Sequence, residues 1–293
     1  MTAARIYRSP AKINWYLRVL GARPDGYHEI ETVFQELDLC DELAVEPTSE
    51  DRCIVTGLPP GIDPADNLIT RAHALLRQEC GSAVGGVRIH VTKRIPAAGG
   101  LGGGSSNAAA TLKAVNDAYG LGLSATELET LGARLGSDIP FFIRGGCAIG
   151  TGRGEHLAPI AAALRAQLLL VIPPEPMPTA ESYRLLDATP NRPPAGPLEH
   201  VVTALESGDE AALARAIHND FDIIAETKAW YQAIRATLSA AGASRIFLCG
   251  SGSTVASFFG PDLSLESVLP TWVTCRVRFV PARAVPFSQQ RGK

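Results

Sequence analysis

The sequence predicts an α+β protein with two lobes. In the first half of the 293-residue chain, alternating strand patterns are interleaved with helical patterns. The second half is mainly helical until two apolar strand patterns flank a short glycine-rich turn. We therefore expect an N-terminal lobe at residues 1–160 and a C-terminal lobe at residues 161–293.

The elements of each lobe follow from hydrophobic periodicity and from capping signals. Asn67 is a helix N-cap candidate, and Ser124 with Glu127 forms a capping box. Pro140 should hold Ile139 in an extended conformation. The predicted N-terminal elements are strands 12–20 and 29–39, a hairpin of 43–46 with 52–56, helix 67–80, strand 87–95, helix 105–119, a helix from 124, and strands 141–143 and 147–149. The predicted C-terminal elements are strand 167–172, helices 199–206, 210–218 and 227–241, and strands 245–249, 255–259 and 272–280.

Composition limits the classes of function. Hydrophobic residues make up 46 % of the chain and charged residues 19 %, which is enough for a large core and argues against disorder. The net charge of −3 gives no signal for a nucleic-acid or membrane partner. Six scattered cysteines without C-x-x-C spacing argue against a zinc site and a disulfide scaffold. No apolar run reaches 18 residues, so we expect a cytoplasmic protein.

A glycine-rich loop is the most informative stretch of the sequence. After Pro96, five glycines lie within six positions and precede a helical pattern: Gly99, Gly100, Gly102, Gly103 and Gly104, with Leu101 between them. Such a loop can turn its backbone N–H groups, together with a helix N-terminus, towards phosphate. Ser105, Ser106 and Asn107 at the start of the helix could cap it or touch phosphate oxygens or a metal. The loop matches neither a Walker A motif nor the dinucleotide fingerprint, and a flexible turn is the alternative.

Several other polar residues could carry chemistry, although each has an ordinary structural explanation. Lys12 and Asn14 share one face of the first strand and could line a cleft, or could simply be solvated. Asp138 could position or deprotonate a hydroxyl, or cap a helix end. Tyr27 and His28 follow a Pro-Asp-Gly turn and could clamp a planar ring or form a surface turn. Thr179 and Tyr183 lie at the start of a helical pattern, where Thr179 could be the N-cap and Tyr183 could simply pack.

The arrangement of three motifs resembles the GHMP kinase superfamily. They are Pro-Ala-Lys-Ile-Asn at 10–14, the glycine loop at 99–109, and Cys-Gly-Ser-Gly-Ser-Thr at 249–254. The stretches at 23–28 (Arg-Pro-Asp-Gly-Tyr-His), 66–69, 136–140 and 178–179 resemble one branch of that superfamily. The chain departs from the usual pattern at Ala98, where glycine is common, and at Tyr183, where phenylalanine is frequent.

The resemblance implies a fold, a reaction and roles for the candidate residues. It implies the two-lobed GHMP kinase fold, with an ATP-binding N-terminal lobe, a C-terminal lobe and the active-site cleft between them. The implied reaction transfers the γ-phosphate of ATP to the tertiary 2-hydroxyl of a cytidine diphosphate-linked methylerythritol, a step of non-mevalonate isoprenoid biosynthesis. Mg²⁺ is implied as cofactor, with Ser106 as a candidate ligand. The chain would act as a monomer or homodimer.

By the same resemblance, Lys12 and Asp138 are the catalytic pair, and the glycine loop with Asn67 and Lys93 binds the nucleotide. Asn14 would hold the erythritol end of the substrate, while Tyr27, His28 and Tyr183 would bracket the cytosine and Thr179 would lie nearby. Two alternatives remain at this stage. One is another kinase of the superfamily, acting on homoserine, mevalonate or a sugar. The other is a catalytically silent relative that binds nucleotide and regulates a partner.

Overall fold

The computed structural model describes residues 4–258 and 273–279, and it has the α+β architecture that the sequence predicts. Its strands are β1 (Arg5–Ala22), β2 (His28–Thr48), β3 (Cys53–Thr56), β4 (Gly86–Thr92), β5 (Cys147–Thr151), β6 (His156–Pro159), β7 (Gln167–Ile172), β8 (His218–Asn219), β9 (Arg245–Leu248), β10 (Val255–Phe258) and β11 (Val273–Arg278). Its α-helices are α1 (Leu68–Cys80), α2 (Gly103–Tyr119), α3 (Ala125–Ala133), α4 (Ile139–Arg144), α5 (Thr179–Asp187), α6 (Leu198–Ser207), α7 (Glu210–Ala216), α8 (Asp222–Ala225) and α9 (Ala229–Ala240).

The first sheet has seven strands and holds the N-terminal motifs. Its main path runs β3-β4-β2-β1-β8, and β5 and β6 extend it from β2. Helices α1 and α2 pack on this sheet through a layer of small and branched side chains that includes Ala72, Leu76, Ala108 and Leu112. Alanine on α2 allows the helix to approach the sheet closely, so the loop before α2 is held against β1.

The second sheet has four strands in the order β11-β7-β10-β9, and it packs against the first through aromatic side chains. The Trp15 ring of β1 stacks on Phe258 with centroids 5.8 Å apart and meets Phe279 edge-on at 4.9 Å. The chain changes from the first sheet to the second between β6 and β7, but β8 returns to pair with β1 in parallel. The lobe boundary at residue 160 stays a prediction, and the predicted C-terminal lobe includes residues outside those described.

Two of the predicted strand assignments are wrong. Residues 43–46 belong to the long strand β2, and β3 pairs in parallel with β4 rather than forming a hairpin. Strand β4 buries Val87, Ile89 and Val91, so it takes the inner position beside β2 and the shorter β3 lies at the edge. Residues 141–143, predicted as a strand, lie in helix α4.

Strands β1 and β2 are longer than predicted, since β1 begins at Arg5 and β2 continues to Thr48, while most of the other predicted elements agree within a few residues. Helix α1 begins after Asn67, and α3 begins after the complete capping box of Ser124 and Glu127. Helix α2 begins at Gly103, two residues before the predicted start. Within the predicted last strand, Trp272 and Val280 lie outside the described residues. Among the residues described, no helix combines the length and apolar character needed to span a bilayer.

Candidate active site

A cleft of about 960 Å³ is lined by residues from both halves of the chain. It collects most of the residues that the sequence singles out: Lys12, Asn14, Tyr27, His28, Lys93, Pro96, Gly99, Gly100, Leu101, Gly102, Gly103, Gly104, Ser105, Asp138, Thr179 and Tyr183. Three of the predicted residues are not part of its lining, namely Asn67, Ser106 and Asn107. Gly250 and Ser251 of the second glycine-rich turn also line the cleft.

The glycine loop precedes α2 and leaves no room for a side chain at Gly100 or Gly102. Gly100 and Gly102 have φ values of +75° and +72°, which glycine adopts without strain. Ala98 also lies in the left-handed region, at φ +55°. This region favours glycine, which is the common residue at this position in the family pattern. An ideal Cβ on Gly102 would lie 2.7 Å from the Phe142 ring. The loop therefore presents backbone rather than side chains to the cleft, as phosphate binding requires.

The Lys12 motif at 10–14, the glycine loop and the second glycine-rich turn at 249–254 are in direct contact. The Lys12 amide donates to the Leu101 carbonyl at 3.0 Å, and the Thr254 amide donates to the Gly99 carbonyl at 3.2 Å. An ideal Cβ on Gly250 would lie 3.0 Å from the Lys12 Nζ atom. Segments far apart in sequence thus meet around the Lys12 side chain and the glycine loop.

Lys12 and Asp138 form an ion pair at the side of the glycine loop. The Lys12 Nζ atom lies 3.6 Å from Asp138 Oδ2, and the two side chains are 7 % and 31 % exposed. The Asp138 carboxylate is the more accessible of the two and can meet a ligand in the cleft. This arrangement places a buried ammonium, an accessible carboxylate and a set of backbone amides around one space.

The local structure around Asp138 differs from the sequence expectation. Asp138 has αR dihedral angles and immediately precedes α4, yet its side chain makes no capping hydrogen bond. Ile139 is therefore the first helical residue and is not extended. Pro140 is tolerated in this first turn because its missing N–H would have no intrahelical partner. The carboxylate at the helix start is left available to Lys12 and to the cleft.

Asn14 is almost fully buried and is linked to Lys12. Its Oδ1 atom accepts a hydrogen bond from Lys12 Nζ at 2.8 Å, and its Nδ2 group donates to Thr32 Oγ1 at 2.7 Å. Asn14 still contributes to the cleft lining. Its contact with the erythritol end of a substrate stays a prediction, while its contact with the lysine is part of the structure.

Lys93 is held at the start of α2 by a carboxylate that sequence reasoning missed. Asp41 is fully buried, forms an ion pair with Lys93, and accepts the amides of Arg94 and Ile95 at 2.7 and 2.8 Å. The Asn107 Nδ2 group donates to the same carboxylate at 3.1 Å. Asn107 therefore links α2 to β2 through Asp41 and does not line the cleft. An aspartate within a long strand gave no sequence signal for this role.

Asn67 and Ser106 are also committed to structural contacts. The Asn67 Oδ1 atom caps α1 by accepting the amides of Ile69 and Thr70, and its Nδ2 group bonds to loop carbonyls. Ser106 is 1 % exposed, and its hydroxyl accepts a 2.8 Å hydrogen bond from Ser9. Nucleotide contact by Asn67 and metal ligation by Ser106 stay predictions, and the geometry of Ser106 argues against ligation. Ser105, one position earlier, lines the cleft.

Aromatic rings line the opposite part of the cleft. His28 stacks on Tyr183 with ring centroids 4.5 Å apart, so a base cannot enter between these two rings as they stand. Tyr27 is 51 % exposed, and the Arg153 guanidinium lies 4.6 Å from its ring centroid. Burial raises the pKa of the Tyr183 phenol above its usual range, so the phenol stays neutral.

The histidine is further held by an acidic residue of α5 that sequence reasoning missed. The His28 Nε2 atom lies 2.9 Å from Asp187 Oδ1.

Thr179 is the first residue of α5 and not its N-cap, which is Pro178. The Thr179 hydroxyl instead lies 3.1 Å from that of Ser251 in the second glycine-rich turn.

Comparison with known proteins agrees with this geometry. The model for the N-terminal domain of GHMP kinases matches residues 67–146, and the model for the GHMP kinase C-terminal domain matches residues 201–272. A 4-diphosphocytidyl-2-C-methyl-D-erythritol kinase of Synechococcus sp. (strain JA-2-3B'a(2-13)) is 41 % identical over 92 % of this chain and 88 % of its own length. The same enzyme of Heliobacterium modesticaldum (strain ATCC 51547 / Ice1) is 37 % identical over 94 % of each chain.

A solved structure extends the likeness to three dimensions. The crystal structure of a 4-(cytidine 5'-diphospho)-2C-methyl-D-erythritol kinase superposes with a TM-score of 0.75 at 32 % identity, over 94 % of this chain and 99 % of that one. The chain therefore belongs to the 4-diphosphocytidyl-2-C-methyl-D-erythritol kinase family of the GHMP kinases.

Proposed function

We propose that this protein is an ATP-dependent kinase that phosphorylates the 2-hydroxyl of 4-diphosphocytidyl-2-C-methyl-D-erythritol. The observation that carries the proposal is the Lys12–Asp138 ion pair beside a glycine loop in a single cleft. Relatives that are about 40 % identical over most of the chain bear the name of this kinase. The proposed reaction is a step of non-mevalonate isoprenoid biosynthesis.

The nucleotide end of the cleft is formed by backbone amides and one cation. The glycine loop and the N-terminus of α2 favour a multiply charged anion because unpaired N–H groups and the positive end of the helix dipole meet there. Lys93 lies next to this N-terminus: an ideal Cβ on Gly103 would be 3.3 Å from its Nζ atom. We assign the ATP phosphates to this region.

The transfer step follows from the positions of Lys12 and Asp138. The substrate hydroxyl oxygen forms a bond to the γ-phosphorus as the bond from that phosphorus to the bridging oxygen of ADP breaks. The hydroxyl proton passes to the Asp138 carboxylate, while the Lys12 ammonium stabilises the negative charge on the transferring group. Catalysis of this kind depends mainly on positioning and charge neutralisation, so we assign Asp138 chiefly to orienting the hydroxyl, with proton transfer late in the step.

The substrate end of the cleft fits a pyrimidine base. Tyr27 presents an exposed ring backed by Arg153, and Tyr183 offers a second ring, on which His28 stacks. Stacking on aromatic rings is the usual way in which proteins hold an unpaired base. We propose that the cytosine lies against Tyr27, with His28 and Tyr183 completing its pocket and Thr179 nearby.

We also propose that Mg²⁺ accompanies ATP. Among residues 4–258 and 273–279, no group of three or more His, Cys, Asp or Glu residues is placed to hold a metal ion. A nucleotide-bound Mg²⁺ fits this cleft nonetheless, because it takes most of its ligands from phosphates and water and needs only one or two protein oxygens. Ser105 lines the cleft and its hydroxyl could supply one of them, and Mg²⁺ would neutralise phosphate charge there.

We expect the enzyme to work in the cytoplasm, where ATP is available, as a monomer or homodimer without a nucleic-acid or membrane partner. Size-exclusion chromatography with light scattering would distinguish the two oligomeric states.

The proposal is tested by an ADP-release assay with purified protein. ATP is supplied with 4-diphosphocytidyl-2-C-methyl-D-erythritol, homoserine, mevalonate or a hexose, and the phosphorylated product is identified by mass spectrometry. Release of ADP only with the cytidine-linked alcohol is expected. A preference for homoserine, mevalonate or the sugar would indicate another GHMP kinase. Nucleotide binding without turnover of any alcohol would favour the silent regulator.

A further inference from the structure

A buried chain of hydrogen bonds ends on the Lys12 ammonium. It begins at Thr32, a fully buried residue of β2, whose Oγ1 atom donates to the Tyr16 carbonyl at 2.6 Å. The Thr32 Oγ1 atom also accepts from Asn14 Nδ2 at 2.7 Å, and Asn14 Oδ1 accepts from Lys12 Nζ at 2.8 Å. Three side chains are thus linked in sequence from a backbone carbonyl to the lysine.

The direction of this chain is fixed by donor and acceptor chemistry. A backbone carbonyl can only accept, so the single hydroxyl proton of Thr32 is used on Tyr16. The remaining lone pairs of Thr32 can only accept, so Asn14 must turn its NH₂ group towards Thr32 and its oxygen towards Lys12. The ammonium can only donate and requires the same oxygen. Both ends therefore demand one orientation of the Asn14 amide.

Loss of the Thr32 oxygen would remove one of these two constraints. The Asn14 NH₂ group would then be buried without its acceptor, and a buried unsatisfied donor is costly. A rotated amide would instead place NH₂ against the ammonium and deprive Lys12 of its acceptor. Either result would displace Lys12 relative to Asp138, whose Oδ2 atom lies 3.6 Å from the ammonium.

We infer that Thr32 is a positioning residue for Lys12: its hydroxyl sets the orientation of the Asn14 amide and thereby the place of the ammonium. Thr32 acts only through Asn14 and does not touch the substrate. The kinetic part of this inference rests on the proposed function, whereas the orientation of the Asn14 amide does not.

The test uses three variants of the full-length protein. Thr32→Val keeps the shape of the side chain and removes only the hydroxyl, and Thr32→Ser restores it. Thr111→Val is the matched control, because Thr111 is equally buried and donates to a backbone carbonyl at 2.8 Å, but that carbonyl is within its own helix α2. Measured quantities are kcat, the KM values for ATP and the alcohol, and the melting temperature.

We expect Thr32→Val to lower kcat about tenfold, with both KM values within about twofold of the parent, since the loss concerns a group placed for the transfer step. Thr32→Ser should recover most of the rate, and Thr111→Val should stay within about twofold of the parent. A kcat for Thr32→Val equal to that of the parent, or no recovery with serine, would overturn the inference. If Thr32→Val does not fold, Thr32→Ala replaces it with the same expected and contrary results.

A second readout needs no activity. The side-chain NH₂ signal of Asn14, assigned in ¹⁵N NMR spectra by its loss in Asn14→Asp, should exchange slowly with solvent in the parent and in Thr32→Ser. It should shift and exchange faster in Thr32→Val or Thr32→Ala. An unchanged signal would refute the relay even if the parent protein phosphorylates no cytidine-linked alcohol, whereas that failure of turnover alone would refute the proposed function and leave the relay standing.

Discussion

The backbone of Gly100 lies against the carbonyl of Cys249, so the two glycine-rich motifs of the chain form one surface. An ideal Cβ on Gly100 would lie 2.1 Å from the Cys249 oxygen and 3.0 Å from that of Gly252. These atoms belong to the backbone and cannot rotate away as a side chain would. The close approach of the two backbones at this point is therefore possible only with glycine at position 100.

Gly100→Ala should disrupt this contact. The added methyl group meets a backbone oxygen, and alanine is strained at a φ of +75°. We expect the free energy of unfolding to fall by about 2 kcal/mol or more, together with loss of ATP binding. Urea unfolding and calorimetric titration with an ATP analogue measure the two effects.

Gly104→Ala is the control for Gly100→Ala. A Cβ at Gly104 would meet only Leu68 Cδ1, at an ordinary 3.6 Å, in the first turn of α2. This variant should keep the stability of the parent, because alanine is a better helix former than glycine. Equal destabilisation by both variants would show that crowding at Gly100 is not the cause.

Tyr27→Ala should separate the two ends of the cleft. We expect the affinity for cytidine diphosphate to fall about tenfold or more, since stacking contributes about 1–3 kcal/mol per base. The affinity for ADP should stay within about twofold. Calorimetric titration measures both affinities in Tyr27→Ala. The control is Ile6→Ala, which changes another exposed apolar residue. Equal losses for the two ligands in Tyr27→Ala would argue against base stacking on this ring.

Asp222 gives a prediction for the dependence of stability on pH. Burial raises the pKa of its carboxyl group to about 6, although hydrogen bonds from the Leu248 amide and the Tyr231 hydroxyl oppose the shift. Part of the residue meets solvent, but the Oδ1 atom that accepts both bonds faces the protein. The folded state binds this proton more tightly than the unfolded chain does. The free energy of unfolding is therefore highest below about pH 4, where both states are protonated, and falls as the pH rises through 6.

Asp222→Asn should remove this dependence, because an amide keeps the acceptor oxygen and does not titrate. Between pH 4 and 7 the free energy of unfolding of the parent should fall relative to that of the variant by up to about 3 kcal/mol. Urea unfolding across this range measures the difference, with the exposed Glu181→Gln as the control that follows the parent. Parallel curves for the parent and Asp222→Asn would contradict the prediction.

The sequence predicted best those features that depend on local signals. The capping residues Asn67 and Ser124 marked helix starts correctly because a cap is a contact between near neighbours. The glycine loop and Lys12 were recognised because their spacing in the motifs is characteristic. The apolar run at residues 141–143 was assigned wrongly, since a short buried run fits a strand or a helix equally well.

Contacts between distant residues could not be predicted in the same way. Asp41 reaches Lys93 and Asn107 across more than 50 positions, and a lone aspartate in a strand carries no mark of that role. The stacking of His28 on Tyr183 and the approach of Asp187 depend on how α5 packs over the cleft. The link from Thr32 to Lys12 depends on the register of β1 and β2.

The most direct test of the account is the turnover of Asp138→Ala with ATP and 4-diphosphocytidyl-2-C-methyl-D-erythritol, measured beside its affinity for an ATP analogue. We predict that kcat falls by about two orders of magnitude or more, as expected for loss of a positioned proton acceptor, while nucleotide affinity stays near that of the parent. Turnover close to that of the parent would contradict the assignment of the Lys12–Asp138 pair as the centre of phosphoryl transfer.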